Sequence, residues 1–269
     1  MAKYLDPKAD LTFKKVFGEY ENLTISFLNA LLPLKKEIKS IKYLPSELVP
    51  DTPFRKNSIV DVRCTDQDGR QFIVEMQMIW SEEFKQRVLF NASKAYVRQL
   101  GKSKRYELLQ PVYSLNLVNE IFEENSKGFY YNYHIVCDED TNLVIDGLHL
   151  TFVELPKFKP QNLADKKMMV LWLRFLTEID ENTREVAPEL IADKNIKEAL
   201  ELVEHSAFTD EELAQYDKFW DIIRTENTLI ASSEKKGIMS VAKNMMQYGL
   251  PIADIAKMTG LSEDEINKL

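Results

Sequence analysis

The alternation of apolar and polar positions between Ser58 and Met78 is the most regular pattern in the chain. Val60, Val62 and Cys64 alternate with Ile59, Asp61 and Arg63; Phe72, Val74, Met76 and Met78 alternate with Ile73, Glu75 and Gln77. A period of two predicts two strands. Gln67-Asp68-Gly69 between them suits a three-residue hairpin loop, a type I turn followed by glycine in the left-handed region. Pairing Asp66 with Arg70 then sets the register. It places Asp61 opposite Glu75, on the same side of the sheet.

Other segments follow the same logic. Ala9 to Leu32 predicts two helical pieces separated near Gly18 and stopped by Pro33. A first strand is expected around Ile38 to Leu44. Pro45, Pro50 and Pro53 mark a loop through Asn57. Phe84 to Leu100 predicts a helix that buries Leu89, Ala92, Tyr96 and Leu100, with Gly101 just past its end. Further strands are expected at Val112 to Leu117, Tyr130 to Cys137 and Leu148 to Glu154. Beyond Lys159 the spacing turns helical, at Asn162 to Ile179, Glu185 to Ala192, Asn195 to His205 and Thr209 to Ser232. Thr209 and Glu212 have capping-box spacing. Ser233 to Gly237 reads as a joint, followed by helices at Ile238 to Tyr248, Ile252 to Met258 and Glu263 to Leu269.

These elements predict an α/β fold: a mixed central sheet flanked by helices, then a helical subdomain and a small helical tail. The expected divisions are 1–158, 159–232 and 233–269. A chain of 269 residues with 45% hydrophobic content has ample material for such a core. No apolar run is long enough to cross a bilayer, and the N-terminus has no apolar signal region. Cys64 and Cys137 fall on predicted strands and read as small buried residues of a reducing, cytoplasmic protein. His134, His149 and His205 show no metal-ligand spacing.

The net charge of −8 conceals an uneven distribution. From Phe84 to Tyr106 there are seven basic residues and no acidic one: Lys85, Arg87, Lys94, Arg98, Lys102, Lys104 and Arg105. On a helix, Arg87, Lys94 and Arg98 fall in one narrow stripe. Such a stripe suits a phosphate backbone, although charge runs often mark only a solvated face.

Two opposed carboxylates repel each other and lose hydration together. A divalent cation relieves that. Mg²⁺ favours one or two carboxylates with waters and phosphate oxygens, and in that setting it activates water and offsets charge on a phosphate. Asp61 and Glu75 therefore suit a metal-assisted phosphodiester site. Gln77 lies on the same face as Glu75 and could position a water, though an amide cannot act as a base. The alternative is a pair of solvated carboxylates on an exposed sheet face.

The spacing Asp61-x13-Glu75-x-Gln77 resembles the PD-(D/E)XK nuclease signature. The flanking sequence is similar to one branch, the recombination-promoting nuclease and putative transposase family. The resemblance runs in order through Leu5 to Gly18, Ile25 to Leu32, Ile59 to Arg63, Ile73 to Met78, Arg87 to Tyr96, Pro111 to Asn116 and Phe152 to Phe158. It implies a restriction-endonuclease-like core and a Mg²⁺- or Mn²⁺-dependent DNA endonuclease linked to recombination, transposition or restriction of mobile DNA. It also implies a metal held by Asp61, Glu75 and the Met76 carbonyl. One departure matters: Gln77 stands where the superfamily usually has lysine, so the cationic stabiliser is missing from that position.

Asp10, in the matched N-terminal motif, either reaches the site or caps the first helix. Lys14 and Lys85 are further candidates for phosphate contact, beside Arg87, Lys94 and Arg98. Rival functions are a nucleic-acid-binding module that kept the fold but lost turnover, and a toxin-like RNase. The tail resembles a helix-turn-helix. Its last helix, Glu263 to Leu269, is acidic where base readout favours Arg, Lys, Asn or Gln, so self-association into a homo-oligomer is preferred over DNA reading.

Overall fold

The structure is a computed structural model that describes residues 3–48, 58–100, 105–160 and 167–269. Gly101, Lys102, Lys104, Pro50, Pro53 and the start of the helix expected from Asn162 lie outside these. The chain divides into two compact units, Met1–Asp217 and Lys218–Leu269.

The first unit is built on a six-stranded mixed sheet. Its strands are β1 (Ile41–Tyr43), β4 (Val62–Asp66), β5 (Gln71–Gln77), β6 (Val112–Val118), β7 (Tyr130–Val136) and β8 (Val144–Glu154), in the order β1-β4-β5-β6-β8-β7. β5, β6 and β8 run parallel, while the β1–β4, β4–β5 and β7–β8 pairs are antiparallel. The two-residue strands β2 (Glu47–Leu48) and β3 (Ser58–Ile59) pair separately. β6 is buried along its whole length, as a central strand covered on both faces must be.

Helices α1 (Asp10–Glu19), α2 (Glu21–Leu31), α4 (Lys167–Glu178) and α6 (Lys194–Leu202) share one core with one sheet face. Trp172 anchors it, 5.4 Å from Phe17 and 5.5 Å from Phe27 between ring centres. Its indole N–H donates to Ser26 Oγ at 3.1 Å, so the ring is buried with its polar atom satisfied. The short helix α5 (Pro188–Ala192) adds Leu190 to the same core.

The opposite sheet face is covered by α3 (Phe84–Val97), the crossover between β5 and β6. It buries Phe84, Val88, Asn91, Ala92 and Ala95. This corrects the face expected from sequence: Leu89 is exposed, and Tyr96 and Leu100 are half-buried. Phe84, Val88, Ala92 and Ala95 step by four, four and three, a better helical stripe than the one built around Leu89.

The hairpin register is as expected. Val62, Arg63, Cys64 and Thr65 pair with Val74, Ile73, Phe72 and Gln71. Gly69 takes a φ of 83°, in the left-handed region that glycine enters at no steric cost. Asp66 locks the turn. Its Oδ1 accepts the N–H groups of Asp68 and Arg70, and its Oδ2 lies 2.7 Å from the Arg70 guanidinium. The first strand is broken, however. Val60 packs with Ile73 under α3 while Val62 packs with Val74 on the other face, so the chain bends at Asp61 and the expected single strand becomes β3 and β4.

The second unit holds most of α7 (Asp210–Gln247), with α8 (Ile252–Thr259) and α9 (Glu263–Ile266). Ala242, Ile255, Leu261 and Ile266 form its core. Gly260, with φ 73°, closes α8, and a capping box between Ser262 and Glu265 opens α9. The expected joint at Ser233 to Gly237 is helical, inside α7.

Candidate active site

Asp61 sits where β4 has already left the ladder, one residue before Val62. In a strand, the N–H and C=O of one residue point to the same side. Met76 directs its N–H toward β4, where Asp61 Oδ2 accepts it at 2.7 Å. The Met76 carbonyl leaves the strand on that same edge, whereas the next carbonyl, that of Gln77, turns the other way and accepts Asn119 N–H at 2.9 Å. The bend thus brings a carboxylate and a main-chain carbonyl to one edge.

Glu75 projects toward α3 and is 5% exposed. Asn91 donates to its Oε1 at 3.0 Å, and the Arg87 guanidinium lies 3.7 Å from its Oε2. Arg87 also donates to Gln77 Oε1 at 2.5 Å. The Gln77 amino group is engaged with the Ile79 carbonyl. Asp61, Glu75, Met76, Gln77, Arg87 and Asn91 line a single cleft of about 680 Å³.

The electrostatics follow from this enclosure. Burial pushes the Asp61 carboxyl up to about 6; the Met76 N–H opposes the shift and the neighbouring Glu75 charge adds to it. Lys14 and Asp10 also act on Asp61, in opposite senses. Burial likewise raises Glu75, against the pull of Asn91 and Arg87. Burial thus holds two neighbouring carboxyls of one cleft above their usual range.

Asp10 and Lys14 lie close enough to Asp61 to act on its charge, although they do not line the cleft. Asp10 is the first residue of α1 rather than its cap, which is Ala9, and forms a 2.6 Å ion pair with Lys14. Lys85 is not brought to the cleft; it pairs with Glu123 at 2.5 Å, 4.8 Å from the Phe122 ring centre. Lys94 lies 5.6 Å from the Phe90 ring, further along α3. Arg98 is close enough to Arg63 that, after burial, its charge helps lower the Arg63 guanidinium. Sequence reasoning missed Asn91. Its signal was a polar side chain inside the apolar stripe of α3, four residues from Arg87. Its Oδ1 is buried without a hydrogen-bond partner among the described residues.

Residues 7–232 match the model of the PD-(D/E)XK nuclease family transposases. The chain belongs to that family. Residues 235–269 match a second model, the C-terminal helix-turn-helix domain of the Rpn/YhgA-like nuclease family. No curated protein and no solved structure matches the chain. Membership in the PD-(D/E)XK family makes the function nuclease-type, and the helix-turn-helix match points to DNA as the partner. No helix among the described residues is long and apolar enough to cross a membrane.

A divalent metal fits the cleft by the chemistry of its donors: two carboxylates and a main-chain carbonyl, all oxygen. Among the described residues no group of three or more His, Cys, Asp or Glu side chains could hold a metal. Two carboxylates and one carbonyl match the few protein ligands usual for Mg²⁺ sites, which water and phosphate complete.

Proposed function

We propose that this PD-(D/E)XK protein is a Mg²⁺- or Mn²⁺-dependent DNA endonuclease centred on Asp61, Glu75 and the Met76 carbonyl. The observation that carries this reading is the broken strand: the bend at Asp61 sets its carboxylate against the Met76 main chain, beside buried Glu75, in one open cleft. A bound divalent ion would supply an activated water and offset negative charge on the phosphate. Asp61 and Glu75 would hold that ion through their carboxylate oxygens. In the reaction a water oxygen bonds to phosphorus and one phosphorus–oxygen ester bond breaks. The water loses a proton to solvent and the leaving alkoxide gains one, giving a phosphomonoester and an alcohol.

Lys94 and Arg98 continue along α3 and would track the phosphate backbone without regard to sequence. Free thiols at Cys64 and Cys137 support a reducing, cytoplasmic setting. Family membership supports a role in recombination, transposition or restriction of mobile DNA.

The test is nicking of supercoiled plasmid with Mg²⁺, Mn²⁺ or EDTA, for the wild type and Asp61→Ala. Metal-dependent nicking that Asp61→Ala loses while remaining folded is the expected result. No nicking with either metal, or wild-type nicking by the variant, overturns the reading. Preferential cleavage of competitor RNA would move the substrate to RNA.

A further inference from the structure

The family signature leaves this cleft without a lysine, because position 77 is glutamine, yet the cleft contains a cation. Arg87 reaches it from α3. Three contacts fix the guanidinium: Nη2 donates to Gln77 Oε1 at 2.5 Å, the same nitrogen lies 3.7 Å from Glu75 Oε2, and the Phe84 ring centre is 4.7 Å from the guanidinium carbon. Gln77 is itself oriented, since its amino group is engaged with the Ile79 carbonyl and its oxygen must therefore face Arg87. The Arg87 side chain is still 47% exposed. A guanidinium carries five N–H donors in a planar fork that matches phosphate oxygens, and most of these remain available.

We propose that Arg87 is a catalytic residue that donates to the non-bridging oxygens of the scissile phosphate, and that Gln77 is a positioning residue that holds it there. When water attacks a phosphodiester, negative charge builds on those oxygens, and donors preorganised toward them lower the barrier. A long, flexible side chain on a helix does this only if something fixes its end. Gln77 provides the fixed point and, being neutral, does not cancel the charge. A lysine at 77 would repel Arg87, so glutamine here and arginine at 87 belong to one arrangement. The inference rests on the reading of the cleft as a phosphodiesterase site, but it separates Arg87 from Lys94 and Arg98, which contact only the backbone.

The test compares steady-state cleavage of duplex DNA by the wild type, Arg87→Ala, Arg87→Lys, Gln77→Lys and the double variant Arg87→Ala/Gln77→Lys, with thermal melting as the check on folding. Removing a preorganised donor to the developing charge costs about 10²–10³ in kcat. Arg87→Ala should therefore lose at least about a hundredfold in kcat with KM within about threefold. Arg87→Lys should fall between the two. The double variant should recover at least about tenfold over Arg87→Ala, because lysine at 77 restores a cation from the strand. If Arg87→Ala keeps wild-type kcat and instead raises KM, with a salt slope reduced by about 0.9, Arg87 is a backbone contact and the inference fails. It fails equally if the double variant is no better than Arg87→Ala. A wild type that cleaves under no condition overturns the phosphodiesterase reading and this inference together, whereas an active wild type with active Arg87→Ala overturns only the inference.

Discussion

Replacing Asp61 with asparagine should make the metal-free protein more stable while abolishing cleavage. Asparagine keeps an oxygen that can accept the Met76 N–H and removes the charge that the cleft disfavours. Lifting a carboxyl from its ordinary 3.8 to about 6 corresponds to about 3 kcal/mol against the ionised form. Solvent reaching the half-open cleft reduces that, so the expected gain is about 1–3 kcal/mol at pH 7.5. The sign follows from proton binding. The folded state keeps the proton between pH 3.8 and about 6 while the unfolded chain releases it. Wild-type stability therefore falls as pH rises through that window, and the penalty is complete above it. The advantage of Asp61→Asn should be full above about pH 6 and vanish near pH 4. Urea denaturation in EDTA at several pH values measures this. Adding Mg²⁺ should narrow or reverse the difference, since an ion bound only by the folded wild type stabilises it by about 2.7 kcal/mol at a hundred times Kd. A variant less stable than the wild type at pH 7.5 in EDTA, or a gain independent of pH, would refute the reasoning.

Asn91→Leu should leave Glu75 without its amide donor; Mn²⁺ titration calorimetry should show weaker binding, and unchanged affinity would assign Asn91 to packing alone. Glu154→Gln should destabilise the first unit by about 2 kcal/mol, because its fully buried side chain accepts the N–H groups of Phe122 and Glu123 and pairs with Lys157 at 2.6 Å. Burial opposes ionised Glu154, but Lys157 and those amides outweigh it and hold the carboxyl below its usual range; its stabilisation should thus be present above the unfolded pKa and disappear as pH falls through the folded one, as acid titration of the melting point would show. Ile255→Asp should unfold the helix-turn-helix, whose core contains Ile255 with no exposed surface; gel shifts should weaken while nicking by the first unit persists, and loss of nicking would show that the tail is needed for turnover.

Much of the site was legible because a period of two and a left-handed glycine fix hairpin register without further information. The bend at Asp61 was not. Val60 and Val62 are both apolar and both core, so the pattern reads as one strand although the two side chains enter opposite cores. The Asn91–Glu75 contact was hidden for a different reason: it depends on how the crossover helix lies across β5, which no local pattern specifies. The polar run at Ser233 to Gly237 looked like a joint, but its Ser, Glu and Lys residues are tolerated in helix, and a single glycine costs only about 1 kcal/mol. Composition warned against DNA reading by the acidic last helix, whereas the match of residues 235–269 supports a helix-turn-helix domain.

The hairpin also acts as a ruler. Its zero is the Asp66–Arg70 lock, and two arms of equal length run from it, paired as far as Val62 and Val74, with Asp61 at the bend and Glu75 one residue beyond. Lengthening one arm alone would slide the carboxylates past each other. Lengthening both by one residue would keep them level but turn both to the wrong side, because side chains alternate. With this turn and the bend at Asp61 both unchanged, the interval between the two acids can vary only in steps of four residues. Any other interval requires a new turn or a bulge, so the thirteen residues that separate Asp61 from Glu75 are a permitted setting of the ruler and not an arbitrary spacer.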